Sequence, residues 1–163
     1  MSFDEITSVL ISQYVAENLQ IHQPKGSQPW IEVKPENLIP ISLTLRDSPE
    51  FWMDFLNCVS AVHLPETNEV QLVYHLSSIP HHHNIVIKVT IPIPTNDLPE
   101  VPTVSDLWKA ALWHEREAYD LMGIRFTNHP DLRRILMPED WQGYPLRKDY
   151  TNAETYHQIR IEY

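Results

Sequence analysis

The chain begins with an apolar pattern of helical period. Large apolar residues recur every three or four positions and predict an amphipathic helix over residues 3–19; they are Phe3, Ile6, Leu10 and Tyr14. A cluster of turn-forming residues at 23–29 follows, and residues 30–34 predict a short strand. The pattern therefore starts as a helix and changes to a strand after a turn.

A proline marks the start of the next helix. Pro35 suits a first helical position and Glu36 follows it, so residues 35–45 are predicted to be helical. Residues 49–54 are predicted to add one further helical turn before the period of the apolar pattern changes to two.

Three later segments alternate in their side chains and predict strands at 57–64, 69–78 and 84–91. On the last two strands one face is apolar throughout, and it consists of Val70, Leu72, Tyr74, Leu76, Ile85, Ile87, Val89 and Ile91. A sheet with one polar face is covered on one side only. We therefore predict an α+β fold. It is a small mixed or antiparallel four-stranded sheet covered on one face by helices and followed by a long extended C-terminal segment.

The next predicted helix follows a proline-rich link at 92–102. Residues 103–106, Thr-Val-Ser-Asp, have the pattern of a capping box, and the helix they open is predicted to end at Met122. Gly123 supplies a C-terminal stop.

One carboxylate lies within the apolar stripe of this helix. Glu115 is at the centre of a stripe formed by Val104, Trp108, Ala111, Leu112, Tyr119 and Met122. Such a group must meet a positive charge or backbone donors. The candidate cations are Arg133, Arg134, Arg147 and Lys148. Arg116 and Asp120, four residues apart at the edge of the stripe, are predicted to pair with each other, whereas Glu117 and Trp113 point away.

A metal or acid–base centre is the competing interpretation of this region. It would use Glu115, Glu117, Asp120, His114 and His129. The spacing disfavours it, because Glu115 and Glu117 lie on different sides of the helix and no His-Glu-x-x-His pair is present. The run at 81–83, three adjacent histidines between two predicted strands, is interpreted as a polar hairpin loop and not as a metal site.

The segment 123–150 has no regular period, although it is rich in large apolar residues. A long aperiodic segment of this kind is usually functional or bound to a partner. We predict that it packs partly on its own domain and partly in a groove of a neighbouring subunit, and that 151–163 continues it. The chain is thus divided into an α+β domain at 1–122 and an assembly arm at 123–163. Short helical turns are predicted near 131–134 and 138–141.

Composition excludes several classes of protein. The net charge of −10 argues against nucleic-acid binding, which needs a basic face. A single cysteine, Cys58, excludes an intrachain disulfide, a Cys-ligated iron–sulfur cluster and a zinc knuckle. No apolar run is long enough to span a bilayer, and the N-terminus lacks the features of a secretory signal. A cytoplasmic protein without its own redox centre fits these observations.

The charged stretch from 115 to 150 resembles the signature of the 30 kDa subunit family of NADH:quinone oxidoreductase, respiratory complex I, whose bacterial members are termed the C subunit. The matching positions are Glu115, Arg116, Glu117, Asp120, Leu121, Met122, His129, Arg133, Ile135 and Leu136. The runs at 138–141 (Pro-Glu-Asp-Trp) and 145–150 (Pro-Leu-Arg-Lys-Asp-Tyr) extend the resemblance.

This resemblance implies a non-catalytic peripheral-arm subunit that scaffolds the quinone-reducing module. Its chief partner would be the D subunit of complex I, which contributes to the quinone site and is called the quinone-site subunit below, with neighbouring peripheral-arm subunits around it. Flavin, iron–sulfur clusters and quinone would be bound by other subunits, and the complex would lie at the cytoplasmic face of the bacterial inner membrane. The residues expected at the interface or in assembly are Glu115, Arg116, Glu117, Asp120, His129, Arg133, Arg134, Trp141, Arg147, Lys148, Asp149 and Tyr150.

Other functions remain open from the sequence. Related subunits occur in ferredoxin-dependent complexes and in membrane-bound nickel–iron hydrogenases, so the electron donor is undetermined. A free-standing metal-dependent enzyme that uses the Glu, Asp and His cluster is a further alternative, as is an adaptor unrelated to respiration.

Overall fold

The computed structural model describes residues 1–14 and 19–160, and the elements below are those found within these ranges. The helices are α1 (Phe3–Gln13), α2 (Leu38–Asp47, preceded by a 3₁₀ turn at Pro35–Asn37) and α3 (Ala111–Met122). The strands are β1 (Leu19–His22), β2 (Trp30–Val33), β3 (Phe55–Leu64), β4 (Glu69–Ser78), β5 (His83–Pro92), β6 (Glu100–Pro102), β7 (Arg125–Thr127), β8 (Thr155–Tyr156) and β9 (Ile159–Arg160).

The main sheet has the strand order β1-β2-β5-β4-β3. Neighbouring strands are antiparallel except β2 and β5, which pair in parallel with Ile31 opposite Ile87. The α+β class and the mixed sheet are confirmed, but the sheet has five strands and the predicted number of four is wrong. The missing strand is β1, which pairs with β2.

Strand β1 falls within the helix predicted over 3–19. Helix α1 begins with a capping box, in which Ser2 and Glu5 exchange hydrogen bonds, and it ends at Gln13. Tyr14 already has extended backbone angles, φ −116° and ψ 145°. Leu19 belongs to β1, so the predicted helix is too long, and its remaining positions 15–18 lie outside the described residues.

The core lies on one face of the sheet, as the alternation predicted. All eight predicted inward-facing residues of β4 and β5 are buried. The two early helices cover them with side chains that are completely buried, namely Ile6, Leu10, Leu38, Ile41 and Leu45. Burial of these apolar groups is the main stabilising term of the fold.

Helix α3 begins later than predicted. Residues 103–106 do not form a capping box: the Thr103 hydroxyl accepts the N–H of Ser105 at 3.1 Å, and the Thr103 N–H pairs with Thr127. Two turns follow, and the helix starts at Ala111. The link before Thr103 also contains strand β6, which was not predicted and pairs in parallel with β7.

The three consecutive histidines lie where a hairpin loop was predicted, although the last of them begins β5. His82 has a positive φ of 53° in the turn. Ring nitrogens of His81 and His83 lie 2.9 and 2.7 Å from the carbonyl oxygens of Pro49 and Phe51. These contacts fix the loop against the turn that follows α2.

The end of the chain differs from the extended continuation predicted for 151–163. Strands β8 and β9 form a small antiparallel hairpin, with Tyr156 opposite Ile159, while positions 161–163 lie outside the described residues. Within the described ranges, no helix has the length and apolar character needed to cross a bilayer.

Candidate functional site

Helix α3 organises the region that the sequence singled out. Glu115 and Asp120 are completely buried and Arg116 is nearly so, whereas Trp113 is 61% exposed and Glu117 is exposed on the other side. The predicted orientations of Glu115, Glu117 and Trp113 are confirmed. Asp120 and Arg116 were predicted at a helix edge, but the C-terminal segment covers them.

Gly123 ends the helix and also allows a close contact. Its φ of 69° is in the left-handed region, as predicted, and its N–H donates to the Tyr119 carbonyl at 3.0 Å. A β-carbon at this position would lie 2.6 Å from the Tyr144 ring. Glycine is therefore required both by the backbone conformation and by the chain that packs on it.

Glu115 is held by uncharged donors. The Val104 N–H donates to Oε1 at 2.8 Å, and the Thr103 hydroxyl makes a short hydrogen bond with Oε2. Burial raises the pKa of Glu115 to about 7, because these two donors offset only part of the desolvation. The expectation of backbone donors is confirmed. The prediction of a cation partner is wrong, because Arg133, Arg134, Arg147 and Lys148 make their contacts elsewhere.

His129 lies beside Glu115 as a neutral imidazole. Its Nδ1 accepts the N–H of Asp131 at 3.1 Å, so the ring proton is assigned to Nε2, which donates to the Leu112 carbonyl at 3.2 Å. The same Nε2 is 4.0 Å from Oε2 of Glu115. Burial lowers the pKa of His129, in agreement with the neutral form. His129 thereby connects α3 to the start of the C-terminal segment.

Asp120 accepts hydrogen bonds from three successive backbone amides. The N–H groups of Ile135, Leu136 and Met137 reach Oδ2 at 3.0, 2.7 and 2.8 Å, and Arg134 Nη1 reaches Oδ1 at 2.7 Å. Burial alone would raise the pKa of Asp120, but these donors outweigh it and hold the pKa below its usual value. We call this arrangement of Asp120, Arg134 and the amides of 135–137 the Asp120 latch.

Arg134 extends the latch along the segment. Besides Asp120, its guanidinium donates to the carbonyl oxygens of Trp141 at 2.9 Å and Gly143 at 3.1 Å. It also lies over the Tyr144 ring, 5.4 Å from the centroid. One side chain therefore fixes the path of the chain from 134 to 144.

The predicted Arg116–Asp120 pair does not form, because each of the two residues has a partner in the segment. Arg116 donates to the carbonyl oxygens of Arg133 and Arg134 at 3.2 and 3.1 Å, and it lies 3.8 Å from Asp131. Both signature residues thus attach the aperiodic segment to α3.

The last charged residues of the signature also make contacts within the chain, two through their side chains and one through its backbone. Arg147 makes a two-pronged contact with Asp149 at 2.9 and 2.7 Å. The N–H of Lys148 donates to Nδ1 of His63, a buried residue of β3, at 3.0 Å. This contact ties the segment to the sheet as well as to the helix.

The remaining predicted interface residues lie on the surface or inside the segment. Arg133 is largely exposed and pairs with Asp131 at 3.0 Å. Trp141 is half-buried and its ring packs on Tyr156 at 5.3 Å, while Tyr150 packs against Gly143. The backbone N–H of Trp141 donates to the Pro138 carbonyl, and this hydrogen bond closes the turn predicted near 138–141.

The five residues of the alternative acid–base centre do not converge on one point. Glu115 approaches His129, but Asp120 faces the amides of 135–137 and Glu117 is exposed. Within the described part of the chain, no group of three or more His, Cys, Asp or Glu residues is arranged to hold a metal ion.

A shallow groove lies between α3 and β3. Among the described strands β3 is the last in the sheet order, so no described strand pairs with its other edge. The groove is lined by residues of both elements and by the segment, including Cys58, Ser60, His114, Glu117, Leu121 and Leu146. The N–H of Leu146 donates to the Leu121 carbonyl at 3.0 Å and closes one wall.

Sequence reasoning missed several residues that complete the site. Thr103 was interpreted only as part of a helix start and Val104 also as a member of the apolar stripe, yet both donate hydrogen bonds to Glu115. His63 and Tyr144 had no distinguishing spacing. The one sequence signal for the role of Val104 was the prediction that Glu115 needs backbone donors.

Comparisons with known proteins identify the family of the chain. The family described as respiratory-chain NADH dehydrogenase, 30 Kd subunit, matches residues 31–156. The chain is 42% identical over 139 residues to the C subunit of NADH-quinone oxidoreductase from Chlorobium phaeobacteroides, covering 84% of this chain and 82% of that protein. It is 41% identical over 124 residues to the protein of the same name from Chloroherpeton thalassium, covering 76% of this chain and 50% of that longer protein.

The fold also has a counterpart among solved structures. A chain in the membrane-bound sulfane sulfur reductase, an archaeal respiratory membrane complex, is similar with a TM-score of 0.74 at 23% identity. The similarity covers 91% of this chain and 85% of that chain, and it shows a shared fold.

Proposed function

The chain belongs to the 30 kDa subunit family of respiratory-chain NADH dehydrogenase, and from this premise we propose that it is a non-catalytic scaffold that binds the quinone-site subunit. In this role it supports the quinone-reducing module of a proton-translocating NADH:quinone oxidoreductase. Flavin, iron–sulfur clusters and quinone are bound by other subunits. The chain is attached through the complex to the cytoplasmic face of the bacterial inner membrane.

One observation carries the proposal: the charged residues of the signature bind backbone groups of the segment and one another, and they do not converge on a common point. Arg116, Asp120 and Arg134 are used to fix an aperiodic segment on α3. A catalytic centre needs groups that converge on a substrate atom. Charged groups that are paired within the chain, and that hold a surface segment in place, instead favour a binding surface for another protein.

The platform has the side chains that anchor protein interfaces. Trp113, Leu136 and Leu146 are 61%, 62% and 58% exposed, and Glu117 is exposed near the first of them on the same helix. Large exposed apolar residues with tryptophan among them are typical of binding surfaces. We assign the contact with the quinone-site subunit to this side of α3 and the segment, including the groove beside β3.

Co-purification with the quinone-site subunit tests the proposal. The double variant Trp113→Ser, Leu146→Ser should fold normally and lose this contact, because both side chains are exposed in the free chain. The matched control is Lys25→Glu, in the turn between β1 and β2, across the sheet from β3. This control should co-purify like the unaltered chain. Unchanged recovery of the quinone-site subunit with the double variant would contradict the proposed surface.

Assembly through the segment is tested separately. Charge reversal of Lys148, whose backbone and not its side chain contacts His63, should weaken incorporation into the complex and leave the circular dichroism and unfolding midpoint of the free chain unchanged. A Lys148→Glu chain that enters the complex normally would place this part of the segment outside the interface.

A further inference from the structure

The Glu115 carboxyl group has a second property, which concerns the binding of a proton and not of a partner protein. Glu115 is completely buried, and no cation lies within hydrogen-bond distance of it in the described part of the chain. Two buried hydroxyl groups lie beside it in series: Thr103 contacts Glu115, and Ser105 contacts Thr103 with their oxygens 2.9 Å apart.

The hydroxyl pair fits the carboxylate form of Glu115. In that form Oε2 accepts the Thr103 hydroxyl and Oε1 accepts the Val104 N–H. The Ser105 N–H donates to the Thr103 oxygen at 3.1 Å. The Ser105 oxygen, which accepts from Thr103 in the structure, must then turn its own hydroxyl to donate to Thr103. A hydroxyl has one donor and two acceptor positions, so this set of contacts is complete for Thr103.

The same atoms fit the protonated form with two donors reversed. A proton from solvent bonds to Oε2, and the resulting carboxylic O–H donates to the Thr103 oxygen. The Thr103 hydroxyl then donates to Ser105, while the N–H groups of Val104 and Ser105 keep their acceptors. Each heavy-atom contact is retained, so the proton is taken up without a change of backbone.

We propose that Glu115 is a buried proton-binding site, in which Thr103 and Ser105 reverse their hydrogen bonds to accommodate the carboxyl group with or without its proton. The function assigned to the chain above does not depend on this site. The ligand is a single proton, and the bond that forms on binding is the Oε2–H bond of Glu115.

The surroundings oppose a permanent negative charge. His129, at 4.0 Å, is held neutral because its Nδ1 accepts the Asp131 N–H. Asp106 interacts unfavourably with the carboxylate. Arg116, the next residue along α3, is directed to the carbonyl oxygens of 133 and 134. These groups act together with burial, which raises the pKa of Glu115 to about 7, so the carboxyl group titrates near neutral pH.

The Glu115 carboxyl group also attaches the chain before α3 to the helix. Thr103 and Val104 are attached to α3 by their hydrogen bonds to the Glu115 carboxyl group. His129, which follows β7, is attached to the same helix by its hydrogen bond to the Leu112 carbonyl. Both connections are present with and without the proton, because each heavy-atom contact is retained.

The test is a carbon-13 NMR titration of the complete chain labelled at the glutamate δ-carbon. We expect the Glu115 resonance, assigned through bonds in the unaltered chain, to titrate with a midpoint near 7. Glu115→Gln should remove the high-midpoint signal and Glu117→Gln should retain it. A Glu115 midpoint below about 5.5, within the ordinary range for glutamate, would overturn the proposal.

The role of the hydroxyl pair is tested by variants of Thr103 and Ser105. Thr103→Val removes a donor to the carboxylate and should raise the midpoint further, whereas Thr103→Ser should keep it. Ser105→Ala, a milder change that retains the Thr103 hydroxyl, should shift the midpoint by a smaller amount in a chain that stays folded. Equal midpoints in all three variants and the unaltered chain would show that the hydroxyl groups do not follow the proton.

Discussion

Replacing Asp120 with alanine is expected to release the C-terminal segment from α3 and to destabilise the whole chain. The carboxylate is completely buried and accepts four hydrogen bonds, from Arg134 and from the amides of 135–137. Without it, a guanidinium and three consecutive N–H groups lose their acceptor in a region covered by protein.

The magnitude follows from the kind of donors that are left. Removing one partner of a buried ion pair costs about 3–5 kcal/mol. Three neutral amides would each add roughly 1–3 kcal/mol if they remained without an acceptor. The latch lies near the surface, however, since Leu136 is 62% exposed and water can reach the released amides. We therefore expect Asp120→Ala to reduce the free energy of unfolding by about 3–5 kcal/mol, the value for the ion pair alone.

Urea unfolding and hydrogen exchange of the full chain measure this effect. The amides of 135–137 should be protected in the unaltered chain and exchange rapidly in Asp120→Ala. Glu117→Ala, which removes an exposed carboxylate from the same helix, is the control and should behave like the unaltered chain. The pKa of Asp120 is lowered in the folded state, so its stabilisation is present above pH 3.8 and is lost as the pH falls through the folded-state pKa. A loss below about 1 kcal/mol at pH 7, or unprotected amides in the unaltered chain, would refute the reasoning.

Four further outcomes are expected. Glu115→Ala should lower the free energy of unfolding by roughly 2–4 kcal/mol, because it leaves the Thr103 hydroxyl and the Val104 N–H without an acceptor, whereas Glu117→Ala should change it little; similar urea midpoints for the two variants would contradict this. Gly123→Ala should cost about 2 kcal/mol or more, from the positive φ and the contact with the Tyr144 ring, and an unchanged thermal unfolding midpoint would be evidence against the contact. The stabilisation contributed by the raised pKa of Glu115 should be complete below pH 4.5 and be lost as the pH rises through about 7. Urea unfolding at several pH values should show this loss in the unaltered chain and not in Glu115→Gln. If the free energy of unfolding of both chains changed with pH in the same way, this expectation would be excluded. An absorbance spectrum and metal analysis of the purified chain should show no flavin, iron–sulfur or stoichiometric metal signal, and a tight equivalent of any of these would contradict the scaffold proposal.

Period-two patterns predicted the sheet well, because alternation reports directly on a face that is buried. Residues 69–78 were assigned as a strand and are β4, and the predicted inward-facing residues of β5 are all buried. Strand β1 was not predicted, because its alternation is too short to be recognised. Four residues give too few alternations to compete with the helical spacing of the preceding segment, and what makes Leu19–His22 a strand is its partner β2.

The partners of the charged residues near α3 could be predicted only in part from helical spacing. The helical spacing correctly placed Glu115 inside the helix packing and Glu117 outside it. Spacing also suggested Arg116–Asp120 as a pair, because only contacts within one helix can be inferred from it. The actual partners are 14–18 residues away in a segment without periodicity, and they are mostly backbone groups that any sequence would supply.

The parallel pairing of β2 with β5 has a consequence for the order in which the chain folds. Ile31 and Ile87 are partners across this pair, and the β3–β4–β5 meander supplies the strand to which β2 attaches. Closing adjacent hairpins involves short loops, whereas this parallel pair closes a long one at a greater entropic cost. We expect residues 55–92 to gain protection first in a refolding experiment and the β1–β2 pair to join them in a slower phase, since rates fall as contacts become less local. During synthesis β1 and β2 would leave the ribosome well before β5 has been made. The edge of β2 that pairs with β5 would therefore have no partner strand during that time.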